Sequence, residues 1–487
     1  MVNHNSMQRR KFLRQIGYSL PAAFALPTML ASCGNKQGDG GDGITPVNKF
    51  RDYTVIVIGA GAAGLYAGWY LQERGFQVKV LEASDRIGGR VRPLAGFADF
   101  DIELGAEEIH GNNTEWYRIV KEQVKAQLND SETEDFYFFR QNPSDLNEPV
   151  LKSEALAGQY QDFNKTIQFV ENASNYSGAD VSVENYYYSF GLSGNLFGIA
   201  NALLGNEYGT SNNYLSIKGL AEEDAAWTAG DDSYWLKSQS LLSVLETKFA
   251  AILPKVQKNT QVRKIDYAAS KIRLTDQNNQ TYEADRVILT VPLPVLRDGD
   301  ITFTPSLPST KLDAIANIGM GVGLKAIFKF SNAFWGNITA SNLGSVIGYN
   351  ELPEIWATSV GRGNTPVITA FVMGDKGAQY SSMSESDAKG VMLANLDIIF
   401  GNNIASQSLL QDGFHLMDWG KQPFIRGSYS YPKVGGGLIF RKELAAAVND
   451  RIFFAGEATH YKGHSATVHG AIETGIRAVE EVELSIP

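Results

Sequence analysis

Cysteine is almost missing: Cys33 is the only one in 487 residues. That scarcity excludes a disulfide framework, a cysteine-built zinc site and an iron–sulfur cluster together. Positive charge is also in short supply, with 43 Lys+Arg against 53 Asp+Glu and a formal charge of −10. Such a balance repels nucleic acid and anionic lipid and leaves cationic ligands as the natural electrostatic partners. A long apolar run is lacking too: the stretch 16–30 is short and is broken by Pro21 and Pro27, so it does not suit a permanent membrane span. No internal repeat stands out. What is present, 44% hydrophobic and 20% charged residues, is ample for one or two buried cores and rules out disorder of the whole chain.

The first segment reads as an address. Arg9-Arg10-Lys11-Phe12-Leu13 precedes the apolar run, which ends in Leu30-Ala31-Ser32-Cys33-Gly34. Twin arginines, an apolar stretch and small residues before a cysteine resemble, in that order, a Tat signal closed by a bacterial lipoprotein cleavage site. Residues 1–32 are therefore expected to be a signal, with Cys33 acylated and 33–50 a flexible, Gly-rich tether. Loss of the signal removes Arg9, Arg10, Lys11 and Arg14 and no acidic residue, taking the charge from −10 to −14. The expected location is periplasmic or at the cell surface, with the membrane touched only through the lipid. Because Tat export carries folded proteins, a tightly bound organic cofactor is the expected cargo.

The body opens on such a cofactor motif. Tyr53–Ile58 is a β-branched run that suits a buried parallel strand, and it feeds Gly59-Ala-Gly61-Ala62-Ala-Gly64 and a helical stretch over 65–74. Gly59 permits the tight turn, Gly61 lets backbone approach a pyrophosphate, and Gly64 lets helix and strand pack closely. The helix N-terminus offers free N–H groups to the anion. A second strand, 77–81, ends in Glu82, about 20 residues on, where an acid accepts hydrogen bonds from a ribose. Glu82, Ala83, Arg86, Gly88, Gly89 and Arg90 follow as a second glycine pair with arginines, which suits a long dinucleotide better than NAD.

At this point the sequence resembles the flavin-dependent amine oxidases of the monoamine and polyamine oxidase type, and further segments extend the resemblance. Glu103-Leu-Gly105-Ala106-Glu107-Glu108-Ile109-His110 is similar to the stretch that passes along the flavin, with Glu108 where the family usually has Trp. The resemblance puts Val262 against the adenine, Lys325 against a water at flavin N5, Trp419 beside the flavin and Tyr429 as an aromatic wall that orients the amine. It puts Gly456-Glu457 at the phosphate and ribityl chain, and Thr467-Val468 at the start of a helix aimed at the pyrimidine ring. Thr467 stands where monoamine oxidases have a second wall tyrosine, so the channel should be open on that side. Ser428 takes the position of their flavin-bonded cysteine, so the expected FAD is not covalently held.

The family implies an α/β fold with two domains, of the amine oxidase and glutathione reductase type. The Rossmann-like FAD-binding domain is assembled from three pieces, 51–112, 231–295 and 416–487; an α+β substrate-binding domain comes from 113–230 and 296–415. Two strands, 262–265 and 284–291, are expected around a polar hairpin at Asp276–Gln280. The expected chemistry is hydride transfer from the α carbon of an amine to flavin N5, imine hydrolysis, and reoxidation by O2 to hydrogen peroxide. Glu107, Glu108, His110, Tyr429 and Thr467 are the expected substrate contacts, and the acidic body favours a diamine or polyamine.

Other readings of these residues stay open. Glu107 and Glu108 suit an arginine-paired loop as well as a substrate role, and Lys325 alone suits a snorkelling surface lysine. The aromatic residues Tyr160, Phe163 and 185–190 suit a core better than a cage. His460, His464 and His469 have metal-like spacing, but Gly463 interrupts any helix that would align them and no metal is expected. An L-amino-acid oxidase needs a cation for the α-carboxylate, which Arg426 or a substrate-domain arginine could supply. A flavin desaturase and a non-catalytic flavin-binding lipoprotein complete the alternatives, and the oligomeric state is not legible.

Overall fold

The computed structural model describes residues 49–130, 135–139, 149–151, 161–192, 194–337 and 343–487. The expected signal, Cys33, the tether up to residue 48, and Tyr160 lie outside the described residues. No helix among the described residues is long and apolar enough to cross a membrane.

Thr54–Ile58 (β1) is a run of β-branched residues without polar alternation, as a strand covered on both faces requires. It takes the centre of a five-stranded parallel sheet, ordered Val256–Gln257, Gln77–Leu81 (β2), β1, Arg286–Leu289, Ile452–Phe454. Ala62–Glu73 (α1) and Val468–Leu484 (α2) cover it, with Leu65, Leu71, Ile472 and Val479 in one core. In register, Ile58 stands between Leu81 and Leu289. The strands therefore end together, and the loops leaving them share one crevice, where open α/β sheets bind ligands.

The expected pair of strands around 276–280 is in fact four. Val262–Asp266, Ile272–Asp276 and Thr281–Ala284 form an antiparallel run, and Thr302–Thr304 joins it in parallel. The expected strand 284–291 divides at Asp285, because Thr281–Ala284 completes this hairpin while Arg286–Leu289 crosses to the parallel sheet. The domain limits shift for a similar reason. Ile301, Leu307, Ala314 and Ile315, all beyond the expected boundary at 295, pack into the core of the cofactor side. That piece therefore extends to about Ile318. At the other end Leu409–Asp418 is one continuous strand of the second domain, across the expected boundary at 415.

The second domain is built on a seven-stranded sheet. Its core strands are Leu409–Asp418, Gly323–Phe330 (β3), Val367–Met373, Glu354–Ala357 and Leu343–Ile347 in spatial order, and we label Glu354–Ala357 β4 and Val367–Met373 β5. Asp135–Phe139 and Pro149–Leu151 extend the far edge. Period-two alternation gives each face its own set: Leu324, Ala326 and Phe328 enter a core shared with the helix Glu385–Phe400, whereas Lys325, Trp356, Phe371 and Met373 line the cavity described below. Of the aromatic segment 185–190 only Tyr187 is core, fully buried and edge-on to Phe169 at 5.2 Å, whereas Tyr188 and Phe190 are exposed, because a helix of this length turns one side to solvent.

Candidate active site

A cavity of about 880 Å³ lies between the carboxyl ends of the parallel strands and the inner face of the seven-stranded sheet. That is the size of a cofactor site with room for a small substrate. Every residue expected from the sequence to touch cofactor or substrate lines it, except Gly64. Gly64 acts one layer back: a Cβ there would stand 1.9 Å from the Gly59 carbonyl oxygen, so its absence is what lets α1 sit against the turn. Gly59 itself has φ +103°, while a Cβ on Gly61 would meet no protein atom within 4 Å and would project into the cavity.

At this end backbone presents the binding groups. Gly61 caps α1 without any side-chain hydrogen bond, so the first N–H groups of the helix face the cavity unspent. Glu82 accepts from the Ala60 N–H at 2.7 Å and from the Ser84 N–H and Oγ at 2.9 and 2.8 Å, which fixes its carboxylate at the rim. Arg86 donates to the Gly89 carbonyl at 2.7 Å and so shapes the second glycine turn. Arg90 pairs with Glu457 at 2.8 Å and donates to the Ser428 carbonyl. Burial pushes the Glu457 carboxyl up, but Arg90 and Arg441 outweigh it and hold it below the usual range. Trp419 donates to the Leu104 carbonyl at 2.8 Å, and Thr467 caps α2 by accepting the Gly470 N–H at 2.9 Å. The side chain missing at Gly61, the two helix N-termini and the carboxylate of Glu82 fit a flavin dinucleotide, which these residues would hold.

The far end is built from charged side chains. Lys325 is buried and donates to Glu107 Oε2 at 2.6 Å and to the Glu103 carbonyl at 3.1 Å. It is not a snorkelling surface residue. Arg362, from the turn between β4 and β5, pairs with the other oxygen of Glu107 at 3.0 Å. Burial raises the Glu107 carboxyl, yet Lys325 and Arg362 dominate and hold it below the ordinary value. Glu107 is thus the arginine-paired carboxylate of the two readings above, and the substrate contact expected of it gives way to this ion cluster. Glu103, beside it, has one oxygen on the Leu241 N–H and the other without a partner; burial raises it to about 7.

Glu108 turns the opposite way, with Oε2 3.5 Å from His110 Nδ1 at the cavity wall. Tyr429 donates its hydroxyl to the Glu207 carbonyl at 2.7 Å, which fixes the ring as a wall. Burial, with Glu207 and Glu354 nearby, pushes its ionisation well above the usual range. Arg362, Glu207, Trp235, Trp356 and Phe371 also line this end and belong to no motif legible in the sequence. Phe371 is the register partner of Lys325, a pairing between strands some 40 residues apart that no local pattern announces.

His460 and His464 stack at 5.0 Å and both face Glu473 Oε2, at 2.9 and 2.8 Å, so three potential metal ligands lie within 4.8 Å of one another. The tautomers argue against a cation. The His464 N–H donates to His460 Nδ1 and the Thr228 N–H donates to His464 Nε2, so the ring nitrogens that face Glu473 are the ones carrying hydrogen. His469 packs on His464 at 4.8 Å and is not part of the set.

The family described as flavin containing amine oxidoreductase matches residues 62–192 and 241–483. Polyamine oxidase 2 of Arabidopsis thaliana is 27% identical over 457 residues, covering 90% of this chain and 89% of that protein. Lysine-specific histone demethylase 1 homolog 3 of Oryza sativa subsp. indica is 30% identical over 467 residues, covering 90% of this chain but 55% of that protein. Among solved structures, wild-type putrescine oxidase bound to putrescine superposes with a TM-score of 0.73 at 19% identity, covering 89% of this chain and 99% of that one.

Proposed function

We propose that this chain, which belongs to the flavin containing amine oxidoreductase family and so is an FAD-dependent enzyme acting on amines, oxidises a diamine or polyamine and reduces dioxygen to hydrogen peroxide. Bound FAD supplies the two-electron acceptor for the C–H bond next to nitrogen; the resulting imine is hydrolysed to an aldehyde and the shortened amine or ammonia. The protein contributes position and charge. Tyr429, its hydroxyl tied back to the Glu207 carbonyl, offers a rigid ring against which the amine lies. Lys325 spends two of its three donors on Glu107 and Glu103, which leaves one N–H for a water on the cavity side. The N-terminus of α2, capped by Thr467, lines the cavity and would offer its helix N–H groups to negative charge on a reduced flavin held there.

The observation that carries the substrate class is the fate of the cations. Among the described residues of the second domain, Lys325 and Arg362 line the cavity, and both are committed to Glu107. Arg426, the other candidate for an α-carboxylate, pairs with Asp298 and Asp300 away from the cavity. With Glu108 at the wall as well, this favours an amine without a carboxylate. We further propose that FAD is held without a covalent bond, since Ser428 occupies the cysteine position, and that the protein is exported and anchored through Cys33, a reading supported by the order of the first 33 residues alone.

The test is anaerobic titration of the purified holoprotein with spermidine, putrescine, a phenyl-substituted monoamine and an L-amino acid. Bleaching of the visible flavin band by the di- or polyamine is expected; bleaching by the amino acid alone overturns the substrate class, and no bleaching by any of them overturns amine oxidation. Lys325→Met should retain FAD and slow flavin reduction or reoxidation by about 100-fold, the usual scale for one preorganised donor, in stopped-flow traces of the two half-reactions. Unchanged traces would remove Lys325 from the mechanism.

A further inference from the structure

The amine end of the cavity is electrically lopsided. Lys325, Phe371 and Glu354 are register neighbours on β3, β5 and β4, so an ammonium and a buried carboxyl share one sheet face about 10 Å apart, with a phenyl ring between them. On the Lys325 side, Lys325 and Arg362 share the single carboxylate of Glu107 at 2.6 and 3.0 Å, which leaves one positive charge in excess. Glu103 lies beside the pair with its carboxyl raised by burial to about 7, so near neutral pH it offsets about half of that excess and the balance there stays positive. On the other side, the Tyr429 hydroxyl lies in the field of Glu207, Glu354, Glu457 and Glu108, of which Glu457 is itself paired with Arg90. Glu107 and Glu108, though successive in the chain, have different neighbours: Glu107 meets Lys325 and Arg362, and Glu108 meets His110, two positions on.

We infer that Arg362 is a positioning residue that decides which end of a diamine faces the reacting position. Without it, Glu107 and Lys325 cancel and an ammonium group is tolerated beside them. With it, the excess cation rejects the charged end of the substrate toward Glu108 and Glu207 and leaves the reacting place to the neutral nitrogen. This orienting role presupposes a diamine substrate, and no sequence motif marks the residue that performs it.

Arg362→Gln separates this role from a structural one. Once both orientations bind, kcat and KM for the diamine fall together, each about fivefold, and kcat/KM is retained, which is the signature of unproductive binding. The change for an uncharged-tail monoamine should be several times smaller, and Arg362→Lys should restore most of the diamine kcat. A second measurement needs no turnover. The affinity for hexamethonium, a quaternary dication without an oxidisable lone pair, is read from its perturbation of the flavin band. It should tighten about tenfold in Arg362→Gln and weaken about tenfold in Glu107→Gln, as one unit of charge at this range demands. Equal losses of kcat/KM for diamine and monoamine in Arg362→Gln, or equal hexamethonium affinities in the three proteins, overturn the inference. If no diamine bleaches the wild-type flavin, the substrate class falls, and the hexamethonium affinities alone still decide for or against Arg362.

Discussion

The two ends of the cavity bind by different physics. At the cofactor end the protein withdraws: side chains are missing at Gly59 and Gly61, α1 begins without a side-chain cap, and helix N–H groups face the cavity. Tolerance there is set by hard contact, because a methyl group either fits or overlaps a carbonyl oxygen. At the amine end the protein intrudes with buried charges: Lys325 and Arg362 share Glu107, and Glu108 lies 3.5 Å from His110. Tolerance there is set by charge balance and so by pH, since removing one member leaves its partner uncompensated in a poorly hydrated place. The comparison teaches that one cavity can be steric at one end and electrostatic at the other, and that mutations at the two ends should fail in different ways.

The sharpest break lies between two glycines three residues apart. Gly64→Ala places a Cβ 1.9 Å from the Gly59 carbonyl oxygen and should abolish the folded holoprotein, seen as loss of both bound flavin and a cooperative melt. Gly61→Ala has space for its Cβ and a backbone that accepts it, with φ −75°. It should melt like the wild-type apoprotein while losing about 100-fold in FAD affinity, near 3 kcal/mol, measured by flavin fluorescence titration. Similar melts for both variants would refute the steric account.

A pH series tests the electrostatic end. Glu103 is raised to about 7 by burial, so the fold favours its protonated form. That contribution is complete below the ordinary Glu value of about 4.3 and is lost as pH rises through about 7. Wild-type stability should fall by about 2 kcal/mol from this group between about pH 5 and pH 7, and Glu103→Gln should flatten that slope in urea unfolding curves. A slope unchanged by the substitution would mean that the carboxyl ionises freely. The smallest effect is expected at the rim of the same end: Glu108→Gln should raise KM for a diamine about fivefold, near 1 kcal/mol, and leave an uncharged-tail monoamine little changed. Equal effects on both substrates would defeat Glu108 as an anchor for the distal ammonium.

The same contrast explains what was legible in the sequence. The glycine turn, β2 and Glu82, and the last helix with its threonine cap all follow from local rules, since a strand, a turn and a helix start are properties of neighbouring residues. The seat of Lys325 in an apolar strand was legible because an isolated lysine there needs a partner. That partner was not, because Glu107 and Arg362 reach it from segments 218 and 37 residues away, brought close by sheet register and by one loop. The misplaced boundary at 295 has a similar origin: Thr302–Thr304 looks like the start of a new region, yet its hydrogen bonds go back to Val262–Asp266. Composition carried the sign of the expected ligand's charge, but not which of two adjacent glutamates would meet it.

The chain order of the parallel sheet has a consequence in time. β1 cannot find its neighbour Arg286–Leu289 until some 230 residues have been added, and the sheet is closed at its edge by Ile452–Phe454, with the helix beginning at Val468 still to follow. During synthesis the nascent chain therefore carries its glycine turn exposed and unable to grip a ligand, and pairings so distant in sequence form slowly. A flavin that binds the finished fold and not its precursors stabilises that fold alone by mass action, so its free concentration during synthesis would bear on how completely the chains fold.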